Sequence, residues 1–223
     1  VVEKNMPGGL IVNQRGRRFT NESSPYLEVV KGYYGDPAGP SVPAWLVFDG
    51  RFRRKYPLGP LPPASVRPDS KLGRRYREGF FHRADTIAEL AAKAGIDPVG
   101  LEAEIAKFNG FATAGKDADF GRGESLYDRY YSDPSVKPNP SLAPLTQAPY
   151  YCIPVYPGDL GTKGGLVTDT SARVLRADGS AIDGLYATGN CSASMMGPTY
   201  PGAGGTIGPA MTFGYLAAKA ASS

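Results

Sequence analysis

The chain has 223 residues, enough for one large domain or two small ones, and its 41% hydrophobic content is ordinary for a protein that buries a core. Two cysteines are too few for a disulfide scaffold, so a reduced, cytoplasmic setting is the simpler prediction. The net charge of +4 is mild, and the basic runs lack the aromatic interleaving and zinc spacing of nucleic-acid-binding proteins. No apolar run is long enough to span a bilayer.

The N-terminal region predicts a β-hairpin. Leu10–Val12 form an apolar first strand, Asn13–Gly16 have the composition of a turn, and Arg17–Thr20 would return as the second strand. Further along, residues 43–49 are a continuous apolar run that predicts a buried strand. We expect Trp45 in its core, and stacking of Trp45 on a ligand is the alternative.

One segment, residues 50–79, predicts little regular structure, and another, residues 123–149, is notable for its tyrosines. Residues 50–79 are rich in proline and arginine, which favours an extended and partly exposed path. Residues 123–149 contain a tyrosine cluster followed by several prolines and asparagines. A cluster of this kind is more often a packed surface than a catalytic set.

Two amphipathic helices are predicted between these segments. Asp85 or Thr86 caps the first helix, and Gly95 ends it. Asp97 caps the second, and Pro98 suits its first turn because the missing N–H would be unpaired there. The residues expected to face inward are Ile87, Leu90, Ala91, Leu101, Ile105 and Phe108.

The C-terminal third predicts short strands and then a glycine-rich loop entering a helix. The predicted strands are Tyr150–Val155, Leu166–Asp169, Ala172–Leu175 and a short buried one at Gly184–Asn190, with a turn at Ala177–Ser180. The helix runs from about Gly208 to Ala221. Glycines in the loop would let the backbone approach a flat ligand, because no Cβ intervenes. A structural turn that caps an alanine-rich helix is the alternative.

Phrases along the chain contain unusual residue choices: GLYATGN at 184–190, YPGAGGTIGPAMTFG at 200–214 and YDRYYSDP at 127–134. Together they resemble 3-ketosteroid Δ1-dehydrogenases, which are flavoenzymes of the fumarate reductase/succinate dehydrogenase flavoprotein superfamily. The phrase VNQRGRRFTNE at 12–22 is similarly typical of the capping domain of that superfamily. The resemblance covers nearly the whole chain.

The resemblance implies an α+β fold in two parts. Residues 1–157 would be the capping (catalytic) domain of a fumarate reductase-like flavoprotein, and residues 158–223 the C-terminal strands and helix of its Rossmann-type FAD domain. The N-terminal dinucleotide-binding half, which carries the G-x-G-x-x-G fingerprint, is absent from this sequence. Because the chain also opens on Val1 rather than Met, we expect a fragment whose FAD cradle is completed by the missing N-terminal half.

The resemblance also assigns FAD contacts near the C-terminus. The expected cofactor-binding residues are Gly189, Asn190, Thr206, Ile207 and Gly208. Asn190 would hydrogen-bond the ribityl side of the flavin, and the positive end of the following helix would stabilise negative charge on the pyrimidine edge. Cys191 is interpreted as a small packing residue and not as a redox thiol.

The reaction that the resemblance implies introduces a C1–C2 double bond into the A ring of a 3-ketosteroid. One hydrogen leaves as a proton and the other as a hydride to flavin. Tyr200 O–H and Gly204 N–H would hold the ketone oxygen, and Tyr26 would be the base, although tyrosine needs help to ionise because its pKa is about 10. The residue pattern alone instead predicts that Tyr26 is a packed residue after Pro25.

Two positions discriminate within the superfamily. Fumarate reductases hold their dicarboxylate with histidines that precede a Thr-x-Gly-Gly element, but Leu160 and Gly161 stand there in this chain. An apolar, steroid-like substrate with one polar handle is therefore expected. Two alternatives stay open: a fumarate reductase-like flavin oxidoreductase acting on another apolar enone or ketone, and a non-catalytic interaction domain.

Overall fold

The computed structural model describes residues 3–37, 39 and 41–222, so Val1, on which the chain opens, lies outside the described residues. The chain divides into two compact units, Val1–Pro157 and Gly158–Ser223.

A four-stranded antiparallel sheet forms the centre of the first unit, with the strand order β1-β2-β4-β3. The strands are β1 Gly9–Val12, β2 Ala44–Asp49, β3 His82–Ala84 and β4 Tyr150–Val155. Every residue of β2 is buried, because β2 lies between two partner strands and both of its faces are covered. The strands predicted at 43–49 and 150–155 are therefore confirmed.

Helices pack on both faces of this sheet. In the first unit they are α1 Tyr26–Tyr34, α2 Gly50–Lys55, α3 Arg74–Gly79, α4 Ile87–Ala94, α5 Pro98–Ala114 and α6 Leu126–Tyr130. Alternation along β2 sends Trp45 and Val47 into a cluster with α4 and α5, and Leu46 and Phe48 into a second cluster with α1 and α2. Trp45 is thus a core residue, as predicted.

The two predicted helices are confirmed together with their caps. Thr86 Oγ1 accepts a hydrogen bond from Glu89 N–H (3.2 Å), and Gly95 ends α4 in the left-handed conformation at φ 69°. The Asp97 carboxylate accepts from two N–H groups at the start of α5. This helix continues to Ala114.

The predicted N-terminal hairpin is wrong in its pairing. β1 pairs along its length with β2, with Val12 opposite Trp45, and a single bridge between Val12 and Arg18 remains of the return strand. The turn itself is present, since Gly16 N–H donates to Asn13 O at 2.9 Å. β1 pairs with the distant β2 because the apolar side chains of β2 bury both strands. The basic segment Arg17–Thr20 offers no such apolar partner.

The prediction of little regular structure over residues 50–79 is also wrong. This segment contains α2, α3 and a single 3₁₀ turn at Asp69–Lys71. Asp49 Oδ1 caps α2 by accepting from Phe52 N–H (3.0 Å), and the Phe52 ring is fully buried. Arg53 is also buried and donates to Pro62 O (2.8 Å). Local capping and one buried ring therefore outweigh the proline-rich composition.

Four charged side chains with no exposed surface form a buried ion cluster in the first unit: Arg18, Glu22, Asp117 and Arg122. Arg18 Nη2 lies 2.7 Å from Glu22 and 2.8 Å from Asp117, and Arg122 Nη1 lies 3.2 Å from Glu22. Burial alone would raise the pKa of Glu22, but the charges of Arg18 and Arg122 outweigh it and hold this pKa below its ordinary value. The two cations and two anions balance each other.

The second unit contains a two-stranded antiparallel hairpin, a 3₁₀ turn at Gly189–Cys191 and a C-terminal helix. The hairpin strands are β5 Arg173–Leu175 and β6 Ala181–Tyr186, and the helix is α7 Ile207–Ala221. The start of α7 lies within one residue of its prediction.

Two strand predictions in the second unit are corrected. The predicted strand at 166–169 contributes isolated bridges at Leu166 and Thr168. The strand predicted as buried at 184–190 begins earlier, ends at Tyr186 and is largely exposed, because a two-stranded hairpin buries few of its side chains. No helix within the described ranges 3–37, 39 and 41–222 has the length and apolarity that crossing a bilayer requires.

Candidate active site

The loop that precedes α7 is shaped by glycines. Gly202 and Gly204 have φ values of +111° and +89°, which residues with a Cβ rarely adopt. Gly205 N–H donates to Gly202 O (3.0 Å), and Gly208 N–H donates to Gly204 O (2.9 Å). Tyr200, half-buried, stands directly before this double turn. The predicted Tyr200 and Gly204 therefore lie at the beginning and in the middle of one tight loop.

The start of α7 presents backbone donors. Among the described residues, the N–H groups of Gly204, Thr206 and Ile207 donate no hydrogen bond, and Thr206 makes no side-chain cap bond. The first N–H groups of a helix carry the positive end of its dipole. A 15-residue helix with uncapped donors is suited to an electron-rich group at this end.

Gly189 lies against the first turn of α7. A Cβ at Gly189 would lie 3.2 Å from the Ala210 Cβ, and φ at Gly189 is +70°, so a side chain here would be both crowded and strained. Thr188 Oγ1 donates to Ala210 O at 3.0 Å and holds the two segments together. The adjacent Asn190 is exposed.

A cavity of about 220 Å³ opens within the second unit. Its lining includes Gly189, Asn190, Gly205, Thr206, Pro209 and Phe213. Three of the predicted cofactor contacts therefore share one cavity. Ile207 and Gly208 lie in the first turn of α7 but do not line this cavity. Tyr200 and Gly204, in the preceding loop, do not line it either.

Lys163 also lines the cavity and was not among the residues predicted for this site. Its Nζ contacts Thr199 O and lies 3.3 Å from Gly197 O, so it holds the segment that leads into Tyr200. The available signal was the Thr-x-Gly-Gly element, in which Lys163 occupies the variable position.

Tyr26 belongs to the first unit and is the first residue of α1. Its side chain is half-buried, so it is neither fully packed in the core nor fully exposed to solvent. Its N-cap, Pro25, makes no side-chain cap bond.

Two further predictions concern single residues, Leu160 and Cys191. Leu160 is 79% exposed, and its uncharged side chain has no hydrogen-bond donor with which to bind a dicarboxylate. The packing interpretation of Cys191 is wrong: its thiol is exposed and donates to Thr188 O, because the 3₁₀ turn directs the side chain outward.

Comparison with known proteins defines the class. Residues 3–207 match the family model described as FAD binding domain, and the chain therefore belongs to that family. FAD is the cofactor that this membership implies. The described residues fit such a group, since Gly189 leaves no room for a Cβ beside a cavity that the uncapped start of α7 helps to line.

The individual relatives are more specific. The chain is 54% identical to a 3-oxosteroid 1-dehydrogenase of Mycobacterium tuberculosis, over 97% of this chain and 39% of the relative. It is 41% identical to a 4-oxocyclohexanecarboxylate 2-dehydrogenase of Sinomonas cyclohexanicum, over 97% of this chain and 37% of the relative. The crystal structure of a 3-ketosteroid Δ1-dehydrogenase from Sterolibacterium denitrificans, in complex with 1,4-androstadiene-3,17-dione, matches with a TM-score of 0.91, at 50% identity, over 99% of this chain and 39% of that chain.

These comparisons confirm the resemblance stated from the sequence phrases. They also show that the chain spans about two fifths of the length of the relatives that it matches.

Proposed function

We propose that this chain is part of an FAD-dependent dehydrogenase that introduces the C1–C2 double bond into the A ring of 3-ketosteroids. The observation that supports this most is the tight loop from Tyr200 to Gly204, which leads directly into the uncapped start of α7. A tyrosine hydroxyl and an unpaired backbone N–H are the donors that a steroid ketone oxygen requires. The 54% identity to a 3-oxosteroid 1-dehydrogenase supports the same substrate class.

The two units would divide the work of the protein. Residues 1–157 would form the capping domain over the substrate, and residues 158–223 the C-terminal part of the FAD-binding domain. Support comes from α7, which exposes the apolar side chains of Ile207, Met211 and Tyr215. A folded protein rarely leaves such a row in water. The N-terminal half of the FAD-binding domain is the partner that would cover it.

Five residues of the second unit would hold FAD: Gly189, Asn190, Thr206, Ile207 and Gly208. When bound, FAD supplies the hydride acceptor. The backbone of Gly189 allows close approach, the Asn190 amide offers both a donor and an acceptor, and the N–H groups of Thr206 and Ile207 stabilise negative charge.

The remaining roles concern the proton. Tyr200 O–H and Gly204 N–H would donate hydrogen bonds to the ketone oxygen, which gains negative charge as the neighbouring carbon loses its proton. Tyr26, as tyrosinate, would accept that proton. An interaction that strengthens as the oxygen becomes negative lowers the barrier more than it tightens substrate binding.

A second candidate is a dehydrogenase of smaller ring ketones. The 41% identity to a 4-oxocyclohexanecarboxylate 2-dehydrogenase favours it, because the same donors would hold any ring ketone. The two candidates share the chemistry at the ketone and differ in the size of the group behind it.

The experiment uses the full-length protein with FAD bound, mixed anaerobically with a 3-ketosteroid while the flavin absorbance is recorded. The wild type is expected to bleach, and Tyr200→Phe to bleach about 10²–10³-fold more slowly with FAD still bound. Tyr130→Phe, at an exposed tyrosine, is the control and should match the wild type.

Each other outcome changes the conclusion. Bleaching by 4-oxocyclohexanecarboxylate but not by a steroid would favour the second candidate. Equal rates for Tyr200→Phe and wild type would remove the proposed role of Tyr200. A protein that folds but never binds FAD would instead favour the non-catalytic interaction domain.

A further inference from the structure

The ammonium group of Lys4 contacts the chain directly before Tyr26. Nζ donates to the backbone oxygens of Glu22 (2.7 Å) and Ser24 (2.6 Å) and to Oδ1 of Asn5 (3.2 Å). An ammonium has three N–H donors, so these bonds use all of them. Burial lowers the pKa of Lys4 to about 8, which still leaves the ammonium as its main form at neutral pH.

The residues held by Lys4, 22–24, are also fixed by the buried ion cluster. Arg122 Nε donates to Ser23 Oγ (3.1 Å), and Arg122 Nη1 donates to the Glu22 carboxylate (3.2 Å). Glu22 in turn accepts from the N–H of Ile11 in β1 at 3.0 Å. Water does not compete with the cluster's bonds, because its side chains have no exposed surface. Residues 22–24 are thereby joined to the central sheet.

The helix that carries Tyr26 is fastened differently at its two ends. Near its C-terminal end, the Tyr33 ring packs edge-on against Phe19, with centroids 5.1 Å apart. At its first turn, Pro25 has no backbone N–H and makes no cap bond with its side chain. Pro25 directly follows residues 22–24, so the position of these residues helps to set the direction in which α1 starts.

We propose that Lys4 is a positioning residue for Tyr26. This inference rests on the proposed function, in which Tyr26 is the base. Lys4 acts through the two carbonyls of residues 22–24 and touches no reacting atom. Without the ammonium, these carbonyls lose two short charge-assisted bonds, and the start of α1 shifts. A base displaced by about 1 Å costs rate without much loss of substrate affinity.

The test is a double-mutant cycle in the full-length, FAD-bound protein with a 3-ketosteroid as substrate. Lys4→Met is expected to lower kcat at least about tenfold, with KM within about twofold and the flavin spectrum unchanged. In the Tyr26→Phe background, Lys4→Met is expected to cause no further loss of kcat, because the group that Lys4 positions is already gone.

Lys31→Met is the matched control, because Lys31 lies on α1 with half of its side chain exposed, 3.0 Å from Glu28. Its kcat should equal that of the wild type. If Lys4→Met does not fold, Lys4→Gln, which keeps amide donors near the same carbonyls but loses the charge, undergoes the same cycle. Its loss of kcat is expected to be smaller and again to be absent in the Tyr26→Phe background.

Two results would overturn the inference. One is an unchanged kcat in the Lys4 variant; the other is the same fold-loss with and without Tyr26, which marks general destabilisation. The proposed function fails separately: if Tyr26→Phe alone leaves kcat unchanged, Tyr26 is not the base, and the positioning role falls with it.

Discussion

The two units bury their residues very differently. The first contains two hydrophobic clusters around its sheet and a buried ion cluster between its loops. In the second, within residues 158–222, the buried apolar side chains are Ala172, Val174 and Ala187, and α7 has no buried residue. The first unit is therefore held by its own core. The second has the secondary structure of a domain without the interior that normally stabilises one.

The two cysteines give the largest expected contrast between the units. Cys191 is exposed, whereas Cys152 is buried and burial raises its pKa to about 12. Because the thiolate is the reactive form, Cys191 should alkylate at least about a thousandfold faster than Cys152 at pH 8. Timed labelling with iodoacetamide and peptide mass spectrometry measures both rates. Comparable rates in the native chain would contradict the described burial, and equal rates in denaturant are the control.

Removing one arginine from each unit gives the next largest contrast. Arg122→Met removes one of the two buried cations paired with the Glu22 carboxylate and leaves several carbonyls without a buried donor, which is expected to lower the free energy of unfolding by about 3–5 kcal/mol. Arg173→Met removes a half-exposed pair with Asp169 that solvent screens, so it should change the stability of the second unit far less. Hydrogen exchange of the β1 and β5 amides measures each loss in its own unit. A small effect of Arg122→Met would show that the cluster contributes little to stability.

A pair of leucines tests the cores. Leu90 is fully buried, and Leu90→Ala should lower the free energy of unfolding of the first unit by about 2–5 kcal/mol. Leu185 in β6 is 41% exposed, so Leu185→Ala should cost less than about 1 kcal/mol in the second unit. Denaturant titrations of the two variants beside the wild type measure the difference. A reversal of this order would mean that the second unit has a core after all.

The smallest contrast concerns helix caps. Thr86 accepts a hydrogen bond from Glu89 N–H, and Thr86→Ala should destabilise α4 by about 0.5–2 kcal/mol. Thr206 occupies the same position in α7 without such a bond, so Thr206→Ala should leave the stability of α7 nearly unchanged. Exchange rates of the first-turn amides report both. Similar losses in the two helices would imply a cap at Thr206 after all.

The sequence predicted what is decided locally. The caps at Thr86 and Asp97 and the stop at Gly95 are fixed by a few neighbouring residues, so α4 and α5 followed from the pattern. The partner of β1 did not, because residues 9–12 pair with a strand more than thirty positions away, which no local signal indicates. The helices within residues 50–79 were missed because burial of Phe52 and Arg53 is a tertiary effect.

The candidate site divides in the same way. Gly189, Asn190 and Thr206 were expected together from the family resemblance, and they line one cavity. The buried ion cluster was not predicted, because Arg18 and Glu22 lie in a phrase as polar as any surface turn, and their partners lie about 100 residues further on. The burial of a charged side chain cannot be predicted from the sequence until its oppositely charged partner is known.

The position of β2 between β1 and β4 has a consequence for synthesis on the ribosome. β1 and β2 are made before β4, and Tyr150–Val155, which close the other side of β2, follow about 100 residues later. At roughly 5–20 residues per second, the apolar edge of β2 stays open for about 5–20 s on each nascent chain. During that interval the edge is a binding surface for chaperones, and for other nascent chains on the same message.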